Sequence, residues 1–291
     1  MDIKIMTVVG CVALLAGCAT VKEPAYDTLI AHRGESVDAP ENTLPAYRTA
    51  GARGFGFECD IYLSKDKRLF TFHDWDLKRT TGGAHTEKCT DASWEETVSK
   101  VNVGGWGKWK GSKFDPTRPA LLEEVLALAR DGRKIYVEVK GNNPEWAPYI
   151  KAVFDAQSNA TPENTLFITF GDKIAKALKA TMPEYKLYFL MGNRRSHLRK
   201  PDGSLYPLWT ADEVLEKLRA TGADGIDICF DPEAHDEAFV RKIKDAGYEF
   251  HVWTVDNLAN AEKAFARGAD TVTTNCAKKL LDGHNAAKAS K

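Results

Sequence analysis

The chain has 291 residues and lacks the features that mark several large classes of protein. Its 40 Lys and Arg residues nearly balance its 41 Asp and Glu residues, so the formal net charge is −1. The two signs are interspersed, and the basic tract that a nucleic-acid groove requires is missing, so we expect no nucleic-acid partner. No Cys-x-x-Cys pair occurs either, which argues against a zinc site or a redox motif.

Long apolar runs are also scarce. The run at residues 5–15 is too short to span a bilayer as a permanent helix, but it is typical of a signal-peptide core. It leads into Leu15-Ala16-Gly17-Cys18, which resembles the bacterial lipobox, where the cysteine becomes the lipidated first residue of the mature protein. We therefore predict a lipoprotein signal peptide over 1–18, lipidation at Cys18 and a tether over 19–26. An ordinary cleaved signal peptide and a retained anchor helix are the alternatives.

The residue after the lipobox predicts the location. Ala19 stands there instead of an aspartate, which in such lipoproteins implies the outer membrane. We therefore expect a cell-envelope protein, anchored by lipid to the outer membrane and facing the periplasm. Disulfides are possible in that oxidising compartment, among Cys59, Cys89, Cys229 and Cys276. For Cys59, which lies between two carboxylates on one face of a strand, we expect packing on the other face, with a disulfide as the alternative.

Most of the chain alternates strand-like and helix-like runs. Hydrophobic residues make up 43% of it, enough for the core of one barrel-sized domain. The candidate strands are residues 28–31, 56–61, 69–72, 134–139, 165–170, 186–190, 225–229, 250–254 and 271–274. The candidate helices between them are residues 44–52, 121–131, 144–157, 173–181, 211–221, 232–246 and 258–267. This alternation predicts a parallel sheet, and eight such units close a TIM (β/α)8 barrel.

One of the nine candidate strands does not belong to the barrel. Only the turn-like residues 64–68 separate strand 56–61 and its extension from strand 69–72, whereas a parallel crossover needs about a dozen residues or more. Strand 69–72 should therefore fold back as a hairpin. Residues 75–133 are rich in Gly and Trp and resemble an insertion over the C-terminal mouth of the barrel. We place the domain at 27–284 and a disordered tail at 285–291.

Three charged clusters each follow a short apolar stretch: His32-Arg33-Gly34, Glu58-Cys59-Asp60 and His73-Asp74. Strands of a parallel barrel deliver such residues to one point at the mouth. Glu58 and Asp60 have the i, i+2 spacing that puts both carboxylates on one face of a strand, as a hard divalent cation requires. The two imidazoles can serve as acid and base near neutral pH. The clusters therefore predict an active site.

These motifs and several others follow the order and spacing of the glycerophosphodiester phosphodiesterase family, which the chain resembles from about residue 29 to residue 281. The further motifs are Pro40-Glu41-Asn42-Thr43, Leu63-Ser64-Lys65-Asp66, Leu77, Arg79-Thr80-Thr81-Gly82, Glu138-Val139-Lys140 and Val252-Trp253-Thr254-Val255. The resemblance implies a TIM barrel with an inserted segment. It also implies one divalent cation, Ca²⁺ or Mg²⁺, and hydrolysis of glycerophosphodiesters to sn-glycerol 3-phosphate and an alcohol.

The resemblance also assigns roles by position. It implies that Glu58, Asp60 and Glu138 are metal ligands and that His32 and His73 are the catalytic pair. The residues agree with this, because Glu138 stands at the carboxyl end of a strand and three carboxylates suit Ca²⁺ or Mg²⁺ better than zinc. As an alternative, Glu58 or Glu138 could merely pair with Arg33 or Lys140. The sequence leaves open which histidine is the acid.

Substrate contacts are expected from three further residues. Arg33 can hold phosphate oxygens in a bidentate way, and Lys140 can act as a point charge. Trp253 lies near the carboxyl end of its strand, where its ring could stack on the glycerol or the headgroup. His251 precedes it by two residues and is expected to pack, with a substrate contact as the alternative. We expect the remaining histidines to be solvated: His85, His197, His235 and His284.

Other residues enter as supporting candidates. Asn42 or Thr43 could cap the helix that follows, and the resemblance adds Glu41 and Asn42 as residues behind the site. Asn275 departs from the family pattern, in which an aspartate usually ends the last strand. A basic loop could either be solvated or attract anionic headgroups. It comprises Arg194, Arg195, Arg199 and Lys200.

Three functions remain open at this stage. The first is a metal-dependent glycerophosphodiesterase with a small-molecule substrate. The second is a phosphodiesterase resembling lysophospholipase D, because Trp94, Trp106 and Trp109 of the inserted segment could favour lipid-like substrates. The third is a lipoprotein that binds glycerophosphodiesters without cleaving them. The matched histidines argue against the third, because binding needs charges but not an acid and a base.

Overall fold

The computed structural model describes residues 26–192 and 208–290. The described strands are β1 Leu29–Ala31, β2 Gly56–Leu63, β3 Leu69–Thr71, β4 Ile135–Val139, β5 Thr165–Thr169, β6 Leu187–Met191, β7 Gly225–Cys229, β8 Glu249–Trp253 and β9 Thr271–Thr274. Eight of them are parallel and close into a barrel in the order β1-β9-β8-β7-β6-β5-β4-β2, and β1 pairs with β2 to complete the ring. The predicted TIM barrel is confirmed.

One described α-helix follows each barrel strand. The helices are α1 Leu44–Ala52, α2 Leu122–Leu126, α3 Ala147–Asp155, α4 Asp172–Thr181, α5 Ala211–Thr221, α6 Glu237–Asp245, α7 Leu258–Ala266 and α8 Ala277–Ala289. Short 3₁₀ turns lie at Tyr26–Thr28, Val98–Lys100, Gly107–Trp109 and Pro144–Trp146. No helix among the described residues is long and apolar enough to cross a membrane.

Alternation along each strand separates two cores. On β7, Ile226 and Ile228 face outward into the large core between barrel and helices, so Asp227 between them faces inward. A second apolar cluster fills the barrel interior with Ile30, Tyr136, Leu166, Ile168, Tyr188 and Leu190. This interior cluster forms the floor beneath the mouth of the barrel. His251 lies in the floor, stacked on Tyr188 and hydrogen-bonded to Thr271 at 2.7 Å. The expectation that His251 packs is confirmed.

The hairpin forms as predicted. Strand β3 runs antiparallel to β2, with Ile61 opposite Thr71, and this return brings His73 back toward the mouth. The segment after it packs around its own small core, which contains Phe70, Leu77, Cys89, Trp94 and Val98 among others. Because Trp94 is buried there, it is not available to a lipid-like substrate.

Three expectations were wrong at the level of elements and surfaces. Helix α2 ends at Leu126, because the amides of Leu128 and Ala129 bond three residues back and tighten the chain into turns. Helix α8 continues to Ala289, through most of the tail predicted to be disordered, where alanines favour the helix. His235 and His284 are buried rather than solvated, since each packs on aromatic rings from elsewhere in the fold.

Some predictions fall outside the described residues. These are the signal peptide, Cys18, nearly all of the tether, His197 and the basic loop at Arg194, Arg195, Arg199 and Lys200. Cys59, Cys89 and Cys276 form no disulfide among the described residues. Cys59 is fully buried in the outer core, as expected from its position between two inward carboxylates.

Candidate active site

A tight turn after β1 places the first histidine. Arg33 has φ of 56° and Gly34 has φ of 77°, and a Cβ on Gly34 would lie 2.6 Å from the carbonyl carbon of Ala46 in α1. Glycine is therefore required for this turn to rest on the helix. The amide of Arg33 donates to Glu58 Oε2 at 2.9 Å, which ties the turn to β2. His32 is thus held at the carboxyl end of β1.

Three carboxylates converge below the turn. Glu58 and Asp60 face inward from β2, and Glu138 faces inward from β4, where it is the register partner of Asp60. Each offers an oxygen within 4.8 Å of the others, and all three residues are buried. Glu58 Oε1 has no hydrogen-bond partner among the described residues. An oxygen-lined cluster with an unpartnered carboxylate oxygen fits a hard divalent cation.

Two basic groups neutralise part of this negative charge. Lys140 Nζ lies 2.7 Å from both Asp60 Oδ1 and Glu138 Oε1, and Arg33 Nε lies 3.5 Å from Asp60 Oδ2. Burial would raise the pKa of Asp60, but the charges of Lys140 and Arg33 outweigh it and hold that pKa below its usual range. Burial raises the pKa of Glu138 to about 7 despite the ammonium of Lys140. Repulsion from Asp60 and Glu138 adds to burial in raising the pKa of Glu58.

The hydrogen bonds of His32 define its tautomer. Asn275 Nδ2 donates to Asp256 Oδ2 at 2.7 Å, so Asn275 presents its Oδ1 to His32 Nδ1, 2.7 Å away. An amide oxygen only accepts, and therefore Nδ1 carries the proton and Nε2 carries the lone pair. Nε2 lies 4.0 Å from Glu58 Oε2. Burial, reinforced by the charge of Arg33, lowers the pKa of His32 to about 4.

The second histidine has a charged partner instead. His73 Nδ1 lies 2.8 Å from Asp74 Oδ1, and Arg79 Nε donates to the other oxygen of Asp74 at 2.6 Å. Arg79 also donates to Glu41 at 2.7 and 2.9 Å, and Glu41 accepts from Arg33 at 2.8 Å. A continuous chain of ion pairs therefore runs from His73 back to Arg33, and Glu41 is one of its links.

Asn42 supports the acidic cluster directly. Its Nδ2 donates to Asp60 Oδ2 at 2.6 Å, and its Oδ1 accepts from the Asp60 amide and from the Tyr47 hydroxyl. Thr43 occupies the N-cap position of α1, which confirms one of the two predicted cap residues. Its side chain makes no cap hydrogen bond, because its hydroxyl donates to Pro40 O. The place of Asn42 behind the site agrees with the family resemblance.

These groups surround a cavity of about 370 Å³ at the mouth. Among the predicted site residues, His32, Arg33, Glu58, His73, Glu138, Lys140 and Trp253 line it, and Asp60 lies buried behind Lys140. Trp106 and Trp109 are not among the lining residues. One wall is apolar, with the Trp253 ring 5.8 Å from that of Phe170, which is 48% exposed.

Sequence reasoning missed several lining residues, among them Phe170, Asp227 and Thr273. Phe170 follows β5 directly, at the same end as the recognised motifs. Asp227 was detectable in principle, because alternation between Ile226 and Ile228 points a lone carboxyl into the barrel. Burial, with the nearby charge of Glu138, raises the pKa of Asp227 to about 8.

Fold and site together are those of a barrel enzyme, with its polar groups gathered at the C-terminal ends of the strands. The model of the glycerophosphoryl diester phosphodiesterase family matches residues 32–279. The chain belongs to this family and is a phosphoric diester hydrolase. The resemblance seen in the sequence is confirmed.

Individual relatives agree with the family match. A glycerophosphodiester phosphodiesterase of Caldanaerobacter subterraneus is 27% identical over 262 residues, covering 87% of this chain and 96% of that protein. The mouse glycerophosphodiester phosphodiesterase 1 is 35% identical over 126 residues, which are 43% of this chain and 37% of that protein. A solved Oleispira antarctica phosphodiesterase, in complex with the product sn-glycerol-3-phosphate, superposes with a TM-score of 0.73 at 24% identity, covering 89% of this chain and 96% of that one.

Proposed function

We propose that the protein is a divalent-cation-dependent glycerophosphodiester phosphodiesterase that releases sn-glycerol 3-phosphate and an alcohol by two-histidine acid and base catalysis. The observation that carries this proposal is the pair of imidazoles with different partners beside one acidic cluster. The Oleispira antarctica relative, which was solved with sn-glycerol-3-phosphate, supports the product.

The proposed metal ligands are Glu58, Asp60 and Glu138. Their oxygens favour Ca²⁺ or Mg²⁺, and the unpartnered Oε1 of Glu58 is available to such an ion. When bound, the cation would neutralise charge on the non-bridging phosphate oxygens. Lys140 already bridges two of the carboxylates and stays beside the phosphate as a second positive charge.

The partners of the two histidines suggest their roles. His32 is neutral, with Nδ1–H held by an amide oxygen, so its Nε2 is free to take a proton from the glycerol 2-hydroxyl or a water. His73 faces the carboxylate of Asp74, which stabilises an imidazolium and suits a proton donor. As the bond between phosphorus and the leaving oxygen breaks, His73 would protonate that oxygen.

The remaining predicted residues would bind substrate. The guanidinium of Arg33 is held by Glu41 and faces the cavity, where it can contact phosphate oxygens. Trp253 and Phe170 form the apolar wall opposite the charged groups, and the Trp253 indole is fixed by donation to Asp227 O at 3.1 Å. This wall would contact the glycerol or the headgroup.

The first test is release of sn-glycerol 3-phosphate from glycerophosphocholine and glycerophosphoethanolamine by the form that begins after Cys18. We expect release with Ca²⁺ or Mg²⁺ and its loss with a chelator. Glu138→Gln should raise the metal concentration needed for half-maximal activity by about 10-fold or more, since it removes a charged ligand. The matched control is Glu123→Gln, which breaks only a surface pair with Arg68. Release that is unaffected by the chelator would contradict metal dependence.

The apolar wall favours one alternative, a phosphodiesterase resembling lysophospholipase D. An acyl chain that leaves the cavity could pack against the exposed ring of Phe170 beside Trp253. The same assay with lysophosphatidylcholine distinguishes the two substrates. Choline release from this lipid at a higher kcat/KM than from glycerophosphocholine would favour the alternative.

We also propose that the protein is lipid-anchored through Cys18 at the outer membrane, facing the periplasm. The support is the Leu15-Ala16-Gly17-Cys18 sequence after a short apolar run, with Ala19 following. Cys18→Ala should shift the protein from the membrane fraction to the soluble or unprocessed fraction. Unchanged fractionation and processing of this variant would contradict lipidation.

A further inference from the structure

A buried carboxyl on the cavity floor has no role in the proposed chemistry. Asp227 is 1% exposed, yet it lines the cavity, and its Oδ1 has no hydrogen-bond partner among the described residues. Thr273 on β9 lines the same cavity, is 3% exposed, and has a buried Oγ1 that likewise lacks a partner in the described part of the chain. Buried polar atoms of this kind are rare in folded proteins and require an explanation.

Asp227 is separate from the acidic cluster. Within the described ranges, the group of carboxylates lying within 4.8 Å of one another comprises Glu58, Asp60 and Glu138, without Asp227. Its register partners are Leu190 on β6 and His251 on β8, and Ile168 lines the same cavity. Burial raises the pKa of Asp227 to about 8, and a protonated carboxyl can both donate and accept a hydrogen bond.

We propose that Asp227 and Thr273 form a hydroxyl-binding subsite for the polyol part of the substrate, the glycerol that stays on the phosphate. This subsite rests on the proposed function, because it addresses the substrate of the same cavity. A neutral carboxyl and a hydroxyl each offer one donor and at least one acceptor, which matches the hydroxyl groups of glycerol. A cationic headgroup would form no ion pair with a protonated Asp227.

The subsite gives the enzyme a means of discrimination. A ligand without the hydroxyl, or an acyl chain on the floor, would bury Asp227 Oδ1 and Thr273 Oγ1 without a partner. Sites built to hydrogen-bond a hydroxyl reject analogues that lack it far more strongly than apolar pockets reject a wrong size. The polar floor therefore selects glycerol, while the apolar wall of Phe170 and Trp253 tolerates varied headgroups.

The experiment compares glycerophosphoethanolamine with its analogue in which the primary glycerol hydroxyl is replaced by hydrogen. The analogue keeps the 2-hydroxyl and the phosphodiester. The wild type should prefer the natural substrate by about 10- to 100-fold in kcat/KM, the range expected when one buried polar group loses its partner. Asp227→Leu and Thr273→Val should each reduce that preference to about 3-fold or less. Asp227→Asn should keep most of it, since an amide also donates and accepts.

Thr271→Val is the matched control. Thr271 also faces inward on β9, but its hydroxyl is bonded to His251 and Tyr136 in the floor, and it does not line the cavity. This variant should lose stability and keep the preference. Asp227→Leu should unfold at no lower temperature than the wild type, because it removes an unpartnered polar group.

The outcomes separate the subsite from the proposed function. Hydrolysis of both substrates by the wild type without a preference, or a full preference in folded Asp227→Leu, would overturn the subsite alone. If the wild type hydrolyses neither substrate, the proposed function fails. Calorimetry then compares sn-glycerol 3-phosphate with propane-1,2-diol 1-phosphate. Weaker binding of the second by the wild type but not by Asp227→Leu would support the subsite, and equal affinities in the wild type would overturn it.

Discussion

At the scale of residues, partner atoms decide what an ionisable group can do. His32 and His73 are both buried enough for the pKa of each to fall below its usual value. They differ in the group that accepts from Nδ1, which is the neutral amide of Asn275 for one and the carboxylate of Asp74 for the other. At Asn275, where the resemblance implied an aspartate, an uncharged oxygen accepts the hydrogen bond from His32.

Replacing either of the two histidines proposed to be catalytic gives the first prediction. His32→Ala and His73→Ala should each lower kcat by about 100-fold or more, because each removes one proton-transfer group. The measurement is release of sn-glycerol 3-phosphate, with thermal unfolding to establish that each variant is folded. His85→Ala is the control, since His85 is not among the lining residues of the cavity. Near-normal turnover in both catalytic variants would disprove the assignment.

His235 illustrates what local sequence does not show. It was expected to be solvated, yet it is 2% exposed against Phe230, Phe239 and Phe250. Its Nδ1 accepts from the Asp231 amide at 3.1 Å. The surrounding rings come from the loop after β7, from α6 and from β8, so only the folded chain brings them together. Motif spacing, in contrast, was enough to find the residues of the acidic cluster.

The burial of His235 predicts a pH dependence of stability. Burial lowers the pKa of His235 from 6.5 to about 4, so between these values the unfolded chain binds a proton that the folded protein does not. The free energy of unfolding should therefore decrease as the pH is lowered through this window, by about 3 kcal/mol for this group. Urea unfolding at pH 7 and pH 4 should show a smaller decrease for His235→Gln than for the wild type. Equal decreases would contradict the prediction.

At the scale of elements, alternation and helical periodicity located the strands and most helices to within a few residues. The hairpin of β2 and β3 was predictable because its connection is too short for a crossover. The ends of α2 and α8 were not, since both depend on local turns and on propensity rather than on a buried stripe. Nor did the sequence alone show which neighbouring elements Asn42 connects.

Asn42 connects three elements through hydrogen bonds. Its side chain bonds Asp60 of β2 and Tyr47 of α1, and its carbonyl accepts from Thr71 of β3. Its φ of 57° is a conformation that asparagine tolerates better than alanine does. Structure near the acidic cluster therefore depends on one residue of the loop between β1 and α1.

Asn42→Ala should lower the free energy of unfolding by about 2 to 4 kcal/mol, because it strains the backbone and removes the three hydrogen bonds between the Asn42 side chain and Asp60 and Tyr47. Tyr47→Phe is the matched control, since it removes only the hydroxyl that donates to Asn42 and should cost about 1 kcal/mol. Urea titration measures both values. A change in Asn42→Ala no larger than that in Tyr47→Phe would show that Asn42 does not join these elements.

At the scale of the whole molecule, the barrel closes through its shortest barrel strand. Strand β1 has 3 residues, yet it pairs with β9 on one side and β2 on the other. Counting eight strands predicted closure, but it did not predict which positions in the ring need glycine. One tight point is Gly56, which pairs with Ile30 and begins the strand that carries Glu58 and Asp60.

Gly56→Ala tests this tight point in the ring. A Cβ there would lie 2.5 Å from the Lys134 carbonyl oxygen and 2.9 Å from Ile30 Cδ1. The Lys134 oxygen belongs to the backbone and cannot move aside as a flexible side chain could. We therefore expect the free energy of unfolding to decrease by about 1 to 3 kcal/mol. Gly51→Ala in α1 should instead raise stability by about 0.5 to 1 kcal/mol, because its nearest neighbour is the end of the Arg133 side chain at 3.7 Å.

Gly56 precedes the acidic cluster by two residues, so Gly56→Ala should also weaken the binding of Ca²⁺ or Mg²⁺, as measured by calorimetry. Gly51→Ala should leave this binding unchanged. Stability and affinity unchanged in Gly56→Ala would mean that the ring can widen at this seam without moving the site.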